Sequence, residues 1–422
     1  MTSIIGAGLG GLSLAQGLKK ANIPFRVFER DSSASFRGQG YRIRISADAG
    51  QSLRRLLPAH LWTAFEATCS ELRDKGHQFD AITGKATRWA SGPPKEAAGQ
   101  TKVYNADRAV LRNLLLSGVS EQVDFGKRLG AYSSAQSGGL SLNFADHASE
   151  QANLLIGADG VRSAVRHHRM PKLGLVDTEG RAVFGKTPIT PGFFERVPSE
   201  LSQGLSLIGE SDDSKMKLFC DMMSFDHGHG AVVAESFGIQ LPKDYLYWVL
   251  VFRKDAVKGG DSERNLHTLT PQESAQKSLD LTTRWHQRIR SILTEQDPST
   301  ASTLTFLAAK PQDLVTSWAD SAPKADDTNG AVTLLGDAAH QMPPVGGFGA
   351  NAAFQDAAAL CDALCRTDDD AATSRIDRIR TYEEEMRTRA ESVVQRSVMG
   401  SGRFFGMRPV DELKPAASWA PQ

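Results

Sequence analysis

Near the start of the chain, the residues whose spacing points to chemistry are glycines. Gly6-x-Gly8-x-x-Gly11 stands between the short apolar run Ser3-Ile4-Ile5 and a stretch with Leu12, Ala15, Leu18 and Ala21 at helical spacing. In that setting Gly6 permits a tight turn, Gly8 lets a pyrophosphate approach the backbone, and Gly11 lets helix and strand pack closely. The helix N-terminus, through Leu9, Gly10 and Gly11, then offers unpaired N–H groups and a positive dipole end to phosphates. Asn22-Ile23-Pro24 breaks the helix, and Phe25 to Glu29 forms a second strand. Glu29, with Arg30 beside it, is placed to receive the ribose hydroxyls of an adenosine. Taken alone the glycine pattern is weak, and the competing reading is an incidental glycine turn. With a strand before it, a helix after it and an acid about twenty residues on, it reads as a dinucleotide site. FAD and NAD remain equally open at this point.

Two later stretches narrow the choice. Residues 153–166 read NLLIGADGVRSAVR, and residues 332–358 read VTLLGDAAHQMPPVGGFGANAAFQDAA. With the glycine turn, in this order and at these distances, they resemble the class A flavoprotein monooxygenases, the family of para-hydroxybenzoate hydroxylase and salicylate hydroxylase. The resemblance spans nearly the whole chain and is strong at the three motifs. It implies FAD as cofactor and NADPH or NADH as co-substrate. It further implies that Asp337, after Gly336 at a strand end, accepts a hydrogen bond from a ribityl hydroxyl. Asp159 and Gly160 inherit a role in binding FAD or the pyridine nucleotide, and Arg108, backed by Leu111 and Leu115, matches an arginine that reaches FAD from a helix start. The bland alternative for Arg108 is a solvated helix arginine.

The residues themselves are consistent with these roles. Pro343-Pro344-Val345-Gly346-Gly347 is a stiff, then permissive, loop fit to lie against a flat ring. Gly349-Ala350-Asn351 opens the next helix, with N–H groups toward the N1/C2 carbonyl edge of the flavin. His340 is open between capping or packing and a direct role. Tyr41-Arg42-Ile43-Arg44-Ile45 alternates as a strand, which puts Arg42 and Arg44 on one face, either as site residues or as surface charge. Many family members are more apolar in this segment. Arg44, Pro344 and Gly347 are the candidates for the reacting face. In the implied mechanism a nicotinamide nucleotide reduces the flavin, oxygen adds at C4a, and the hydroperoxide passes an oxygen atom to an electron-rich substrate. The enzyme would hydroxylate or epoxidise a small aromatic or specialised-metabolite molecule. A flavin oxidase or reductase of the same fold, or a non-catalytic flavin-binding protein, is the alternative.

These motifs need a particular frame. The expected class is α/β: a Rossmann-type FAD-binding domain with an inserted, sheet-rich substrate domain and a C-terminal helix. Residues 1–171 form the first part of the FAD domain, 172–318 the substrate domain, 319–366 the returning part and 367–422 a C-terminal helical region. Strand-like runs at 182–186, 216–223 and 245–252 mark the insertion. In the second, Lys217, Phe219, Asp221 and Met223 share a face. In the third, Tyr247, Val249 and Val251 form one face and Trp248, Leu250 and Phe252 the other. Which face meets substrate is not readable from the strand pattern. Residues 107–116 and 375–399 read as helices, 367–374 as a polar linker, and the last residues as loosely ordered.

Bulk properties exclude other classes. Lys plus Arg and Asp plus Glu both total 49, so no basic excess suggests nucleic acid. No run approaches the length of a membrane span, and no secretory leader is evident. Cys361 and Cys365 fall four apart in a helical run, which is not metal spacing, and with Cys69 and Cys220 they read as small buried hydrophobes. A cytoplasmic protein, monomer or homodimer, with no metal is expected, its partners being a small-molecule substrate and O2. No second G-x-G-x-x-G, flavin-halogenase Trp-x-Trp-x-Ile-Pro or hydrolase G-x-S-x-G is present.

Overall fold

A computed structural model of the chain describes residues 1–34, 41–73, 75–87, 102–136, 138–145, 147–210, 216–256, 266–314, 330–365 and 374–416. In chain order its elements begin β1 (Thr2–Ile5), α1 (Leu9–Lys20), β2 (Phe25–Glu29), β3 (Arg42–Ile45), α2 (Ala47–Leu56), α3 (Ala59–Thr68), β4 (His77–Asp80) and β5 (Ala86–Thr87). Next come β6 (Tyr104–Asp107), α4 (Arg108–Leu116), β7 (Val123–Phe125), β8 (Leu129–Ser134), β9 (Leu140–Phe144), β10 (Glu150–Ala152), β11 (Leu154–Gly157) and α5 (Ala164–Arg169). The middle of the chain supplies β12 (Leu175–Pro188), α6 (Phe193–Arg196), β13 (Ser206–Gly209), β14 (Lys217–Met223), α7 (His229–Ser236) and β15 (Tyr245–Arg253). Then follow α8 (Pro271–Leu281), α9 (Gln287–Thr294), β16 (Ser302–Ala309), β17 (Val332–Leu334), α10 (Asp337–His340), α11 (Phe348–Cys365) and α12 (Arg375–Phe405).

The nucleotide side is a five-stranded parallel sheet in the order β17-β11-β1-β2-β7. Its central strands are buried along their whole length, as parallel strands covered on both faces must be. The chain enters this sheet four times, at β1–β2, β7, β11 and β17, so sequence-distant motifs end at one edge. Helix α1 begins at Leu9, inside the Gly6–Gly11 motif, because Gly8 already serves as its N-cap. Asp107 closes β6 and caps α4, accepting from the Ala109 and Val110 N–H groups, rather than joining the helix.

The second large sheet has seven strands in the order β16-β12-β15-β14-β13-β4-β5. β4 and β5 reach it from residues 77–87, well before the span 172–318. β12 is longer than the 182–186 run, and a register shift between Asp177 and Arg181 lets it bend. One face carries Val183, Leu218, Cys220, Leu246, Trp248, Leu250 and Phe252, packed with Trp285, Ile289, Ile292 and Leu293 around α9. The opposite face carries Phe184, Lys186, Phe219, Asp221, Tyr247 and Val249, and it looks toward the nucleotide side. β3 and β6 form a two-stranded ribbon between the two sheets. α12 runs beyond residue 399 to Phe405, where Gly406 adopts φ 70° and donates to the Gly402 carbonyl. The 367–373 part of the expected linker, the 318/319 boundary and residues 417–422 lie outside the described residues.

Candidate active site

The glycine turn is built by close approach. A Cβ on Gly6 (φ +106°) would stand 2.4 Å from the Ala158 carbonyl oxygen, and one on Gly11 would stand 2.2 Å from the Gly6 oxygen. Gly10 in turn lies under Leu335 and Ala353, where a Cβ would meet side-chain carbons at 2.7 and 3.3 Å. The three motifs are thereby packed onto one another. Gly8 differs: a Cβ there would meet nothing within 4 Å. α1 has no side-chain cap and no acid in its first turn. An uncapped helix end beside empty space suits a phosphate.

Glu29 ends β2 with both carboxylate oxygens engaged by backbone: Oε2 accepts from Ala7 N–H at 2.7 Å and Oε1 from Asp31 N–H at 3.0 Å. It ties the glycine turn to the second strand, the end where an adenosine ribose would lie. Arg30 is exposed beside it. Arg112, not singled out in the sequence, donates from Nε to the Ala7 carbonyl at 3.0 Å and from Nη1 to Ala34, bracing the same turn. The available signal was its i, i+4 spacing from Arg108, which puts both on one face of α4.

Asp159 braces the start of α5, whose N-cap is Ser163, accepting from Ser163 Oγ at 2.5 Å, Ala164 N–H at 2.7 Å and Val165 N–H at 3.2 Å. Burial pushes its carboxyl up, against those hydrogen bonds. Gly160 (φ +73°) has open space where a Cβ would be. Arg166, the last residue of that motif, donates to the Val161 carbonyl at 2.7 Å and the Ala338 carbonyl at 3.1 Å, joining the two Asp-bearing loops. Burial holds its guanidinium below the ordinary arginine range.

Asp337 follows Gly336 (φ +60°) and opens the single turn α10. Enclosure by the protein pushes its carboxyl up, while the cations His340, Arg108 and Arg166 oppose that shift. Its side chain is nevertheless solvent-accessible. Deep position together with access places it on the wall of an internal cleft. Arg108 lies over the Tyr41 ring at 5.2 Å, and its N–H donates to the Tyr41 carbonyl at 2.9 Å. His340 is wholly buried, its Nε2 2.5 Å from Asp356 Oδ2, which also accepts from Gly336 N–H at 3.1 Å. Burial would push its imidazole down, and the Asp356 carboxylate overrides that and holds it above the ordinary value. It supports the loop from behind.

The 343–347 loop turns through a Gly347 N–H to Pro344 carbonyl bond of 3.0 Å, with Gly346 and Gly347 at φ +89° and +67°. Ser397 Oγ on α12 holds the Pro343 carbonyl at 2.6 Å, while Pro344 and Gly347 remain accessible. Gly349 and Ala350 lie in the first turn of α11, and a Cβ on Gly349 would be 3.5 Å from Asp337 Oδ1. The Asn351 side chain is a clamp: Nδ2 donates to the Arg44 carbonyl at 2.9 Å and the Gly347 carbonyl at 2.8 Å, and Oδ1 accepts from Ser46 N–H at 2.8 Å. This brings β3, with Arg42 and Arg44, beside the loop. Arg42 reaches the far sheet, where Nη2 is 2.6 Å from Asp221 Oδ2.

These residues fit FAD: free space at Gly8, Gly160 and Gly347, an open helix end and an accessible carboxylate belong to motifs that pack on one another. A cavity of about 350 Å³ opens beside Asp107, lined by Asn113, Lys186 and residues 240–243, and none of the motif residues line it. Among the described residues no group of three His, Cys, Asp or Glu side chains could hold a metal, and no helix is long and apolar enough to cross a membrane.

Comparison with known proteins agrees with the geometry. Residues 226–397 match the model of an FAD binding domain, and residues 4–72 match an NAD(P)-binding Rossmann-like domain. The dual O-methyltransferase/FAD-dependent monooxygenase elcB of Phaeosphaeria nodorum is 35% identical over 98% of this chain and 47% of its own length. The chain thus spans about half the length of that relative. The FAD-dependent monooxygenase thnD of Trichoderma harzianum is 28% identical over 93% of this chain and 91% of its own. Among solved structures, Klebsiella pneumoniae HpxO complexed with FAD and uric acid superposes with a TM-score of 0.69 at 19% identity, over 96% of this chain and 89% of that one.

Proposed function

The chain belongs to the class A FAD-dependent monooxygenase family, and from that premise we propose that it hydroxylates or epoxidises a small aromatic or specialised-metabolite substrate with NAD(P)H and O2. The observation that carries the reading is the packing of three sequence-distant motifs, those of Gly8, Asp159 and Asp337, onto one another.

Bound FAD would supply the redox chemistry and the activation of oxygen, as cofactors carry such steps in general. The chain's own residues hold and orient. N–H groups of Leu9, Gly10 and Gly11 would receive the pyrophosphate, Glu29 the adenosine ribose, and Asp337 a ribityl hydroxyl. The first turn of α11, at Gly349 and Ala350, would hold the N1/C2 edge, where a helix end contributes roughly 0.3–1 kcal/mol to a negative charge. Pro344 and Gly347 would lie against the ring, and the sheet face would exclude water from the reacting side. No protein nucleophile is required.

The test is labelled dioxygen with a substrate turned over at full rate. One labelled atom should enter the product and the other should go to water, with NAD(P)H consumed in step with product. All oxygen returned as hydrogen peroxide, with unlabelled product, would mark an oxidase. No substrate-stimulated NAD(P)H consumption across a broad screen would mark a non-catalytic flavin protein.

A further inference from the structure

The sheet face that carries Phe184, Phe219 and Val249 is largely apolar, with polar groups at Lys186, Asp221 and Tyr247. Tyr41 meets Phe184 edge-on at 5.2 Å, Phe219 stacks on Phe404 at 4.8 Å and 27°, and Val249, Val345 and Phe404 pack against one hydrophobic cluster. Flat walls of this kind accept a flat ring. Among these polar groups Asp221 pairs with Arg42, which reaches it from β3. The Arg42 side chain is 13% exposed and Asp221 5%, so both are largely out of water.

The pair is incomplete. Arg42 Nε and Nη2 are buried without a hydrogen-bond acceptor, the contact to Asp221 lying off the N–H direction. A guanidinium has five N–H groups, and one carboxylate at this angle leaves several unsatisfied. Asp221 also receives Asn105 Nδ2 at 3.3 Å. Tyr247, opposite Asp221 in the β14–β15 pairing, has no hydrogen bond on its hydroxyl among the described residues. Enclosure pushes its phenol well above the ordinary range, so it stays protonated.

Nearby groups are already satisfied. Lys186 Nζ and the Tyr245 hydroxyl both donate to Asp107 Oδ2 at 2.8 Å. The unpaired, enclosed N–H groups of Arg42 and the unpaired hydroxyl of Tyr247 therefore stand apart, beside the aromatic side chains of the same sheet face.

We propose that Arg42, Asp221 and Tyr247 form a subsite for an uncharged ring-bound oxygen, a phenol or aryl ketone, and select against aryl carboxylates. This rests on the cleft being the substrate site of the proposed monooxygenase. The charge balance decides the class. Arg42 alone would welcome a carboxylate, but Asp221 at 2.6 Å already neutralises it. A second carboxylate would meet Asp221 as a like charge in a poorly solvated place. A phenol instead accepts from Arg42 or Tyr247 and can donate to Asp221. A ketone accepts only.

The experiment titrates FAD-loaded protein with 2-naphthol, naphthalene and 2-naphthoate, reading perturbation of the flavin absorbance. Naphthol should bind about tenfold or more tighter than either of the others, the discrimination expected of one hydrogen bond to a charged group. Asp221→Asn, isosteric and so gentle on the fold, should reverse the order toward naphthoate. Tyr247→Phe should weaken naphthol severalfold and leave naphthalene unchanged. Naphthoate binding as well as naphthol to the unaltered protein, an unchanged order in Asp221→Asn, or no flavin perturbation by any probe would each overturn the subsite. The readout is binding, so an oxidase outcome in the dioxygen experiment would leave a naphthol preference standing, and a monooxygenase lacking that preference would sink the subsite alone.

Discussion

Gly8 and Gly11 stand three residues apart in one motif, yet a side chain at each should do different damage. At Gly8 the backbone is extended (φ −76°, ψ 179°), a conformation open to any residue, and a Cβ would point into empty space. Gly8→Ala or Gly8→Val loses some N-cap preference, about 0.5–1 kcal/mol, and regains a similar amount, about 0.4–1 kcal/mol, from a less flexible unfolded chain. The apoprotein should melt nearly unchanged. The same methyls would stand where the pyrophosphate must approach. Losing one hydrogen bond to a charged group, about 1.5–3 kcal/mol, weakens FAD roughly ten- to a hundredfold, and Val should exceed Ala. At Gly11 the helix would gain about 1 kcal/mol of propensity from Ala. That gain is outweighed, because the Cβ falls 2.2 Å from a backbone oxygen that no rotamer can move. Overpacking costs about 1–3 kcal/mol or more, so Gly11→Ala should lower the apoprotein melting temperature as well as FAD affinity. The assays are apoprotein thermal melts and FAD titration by quenching of flavin fluorescence. A folded Gly8→Val that binds FAD as tightly as the natural sequence would refute the assignment of this turn, and so would equal losses of stability at both positions.

Asp337→Ala should leave the apoprotein folded and reduce FAD affinity roughly ten- to a hundredfold, for the loss of a charged hydrogen-bond acceptor; unchanged affinity in titrations of the folded variant would show that this strand end does not hold the ribityl chain. Glu383 on α12 is buried, and burial pushes its carboxyl from 4.5 up to about 7, with Arg169 opposing. The folded protein keeps this proton after the unfolded chain has released it, so stability should fall as pH rises from 4.5 to about 7. The contribution is about 3 kcal/mol at most, and Glu383→Gln should flatten that slope in denaturant titrations run across the window; identical slopes in the two proteins would contradict it.

The features legible in the sequence are those that depend on neighbours along the chain. The strand–turn–helix at residues 2–20 follows from glycine spacing and a helical apolar pattern, because both act within a few residues. The two Asp-bearing strand ends were readable for the same reason, and their resemblance to a known family supplied FAD. The tertiary structure decided what depends on residues far apart. Glu29 and Arg112 brace the glycine turn from positions 22 and 105 residues away. Alternation put Lys217, Phe219, Asp221 and Met223 on one face but left its direction open, since a strand pattern is symmetric until something covers one side. Trp285, Ile289, Ile292 and Leu293 cover the Trp248 face, which turns the Tyr247 face to the cleft. Arg42 was equally a surface charge or a site residue while its neighbours were only those on β3. Its partner Asp221 comes from another sheet, and only the folded chain removes both from water and sets the charge on that sheet face.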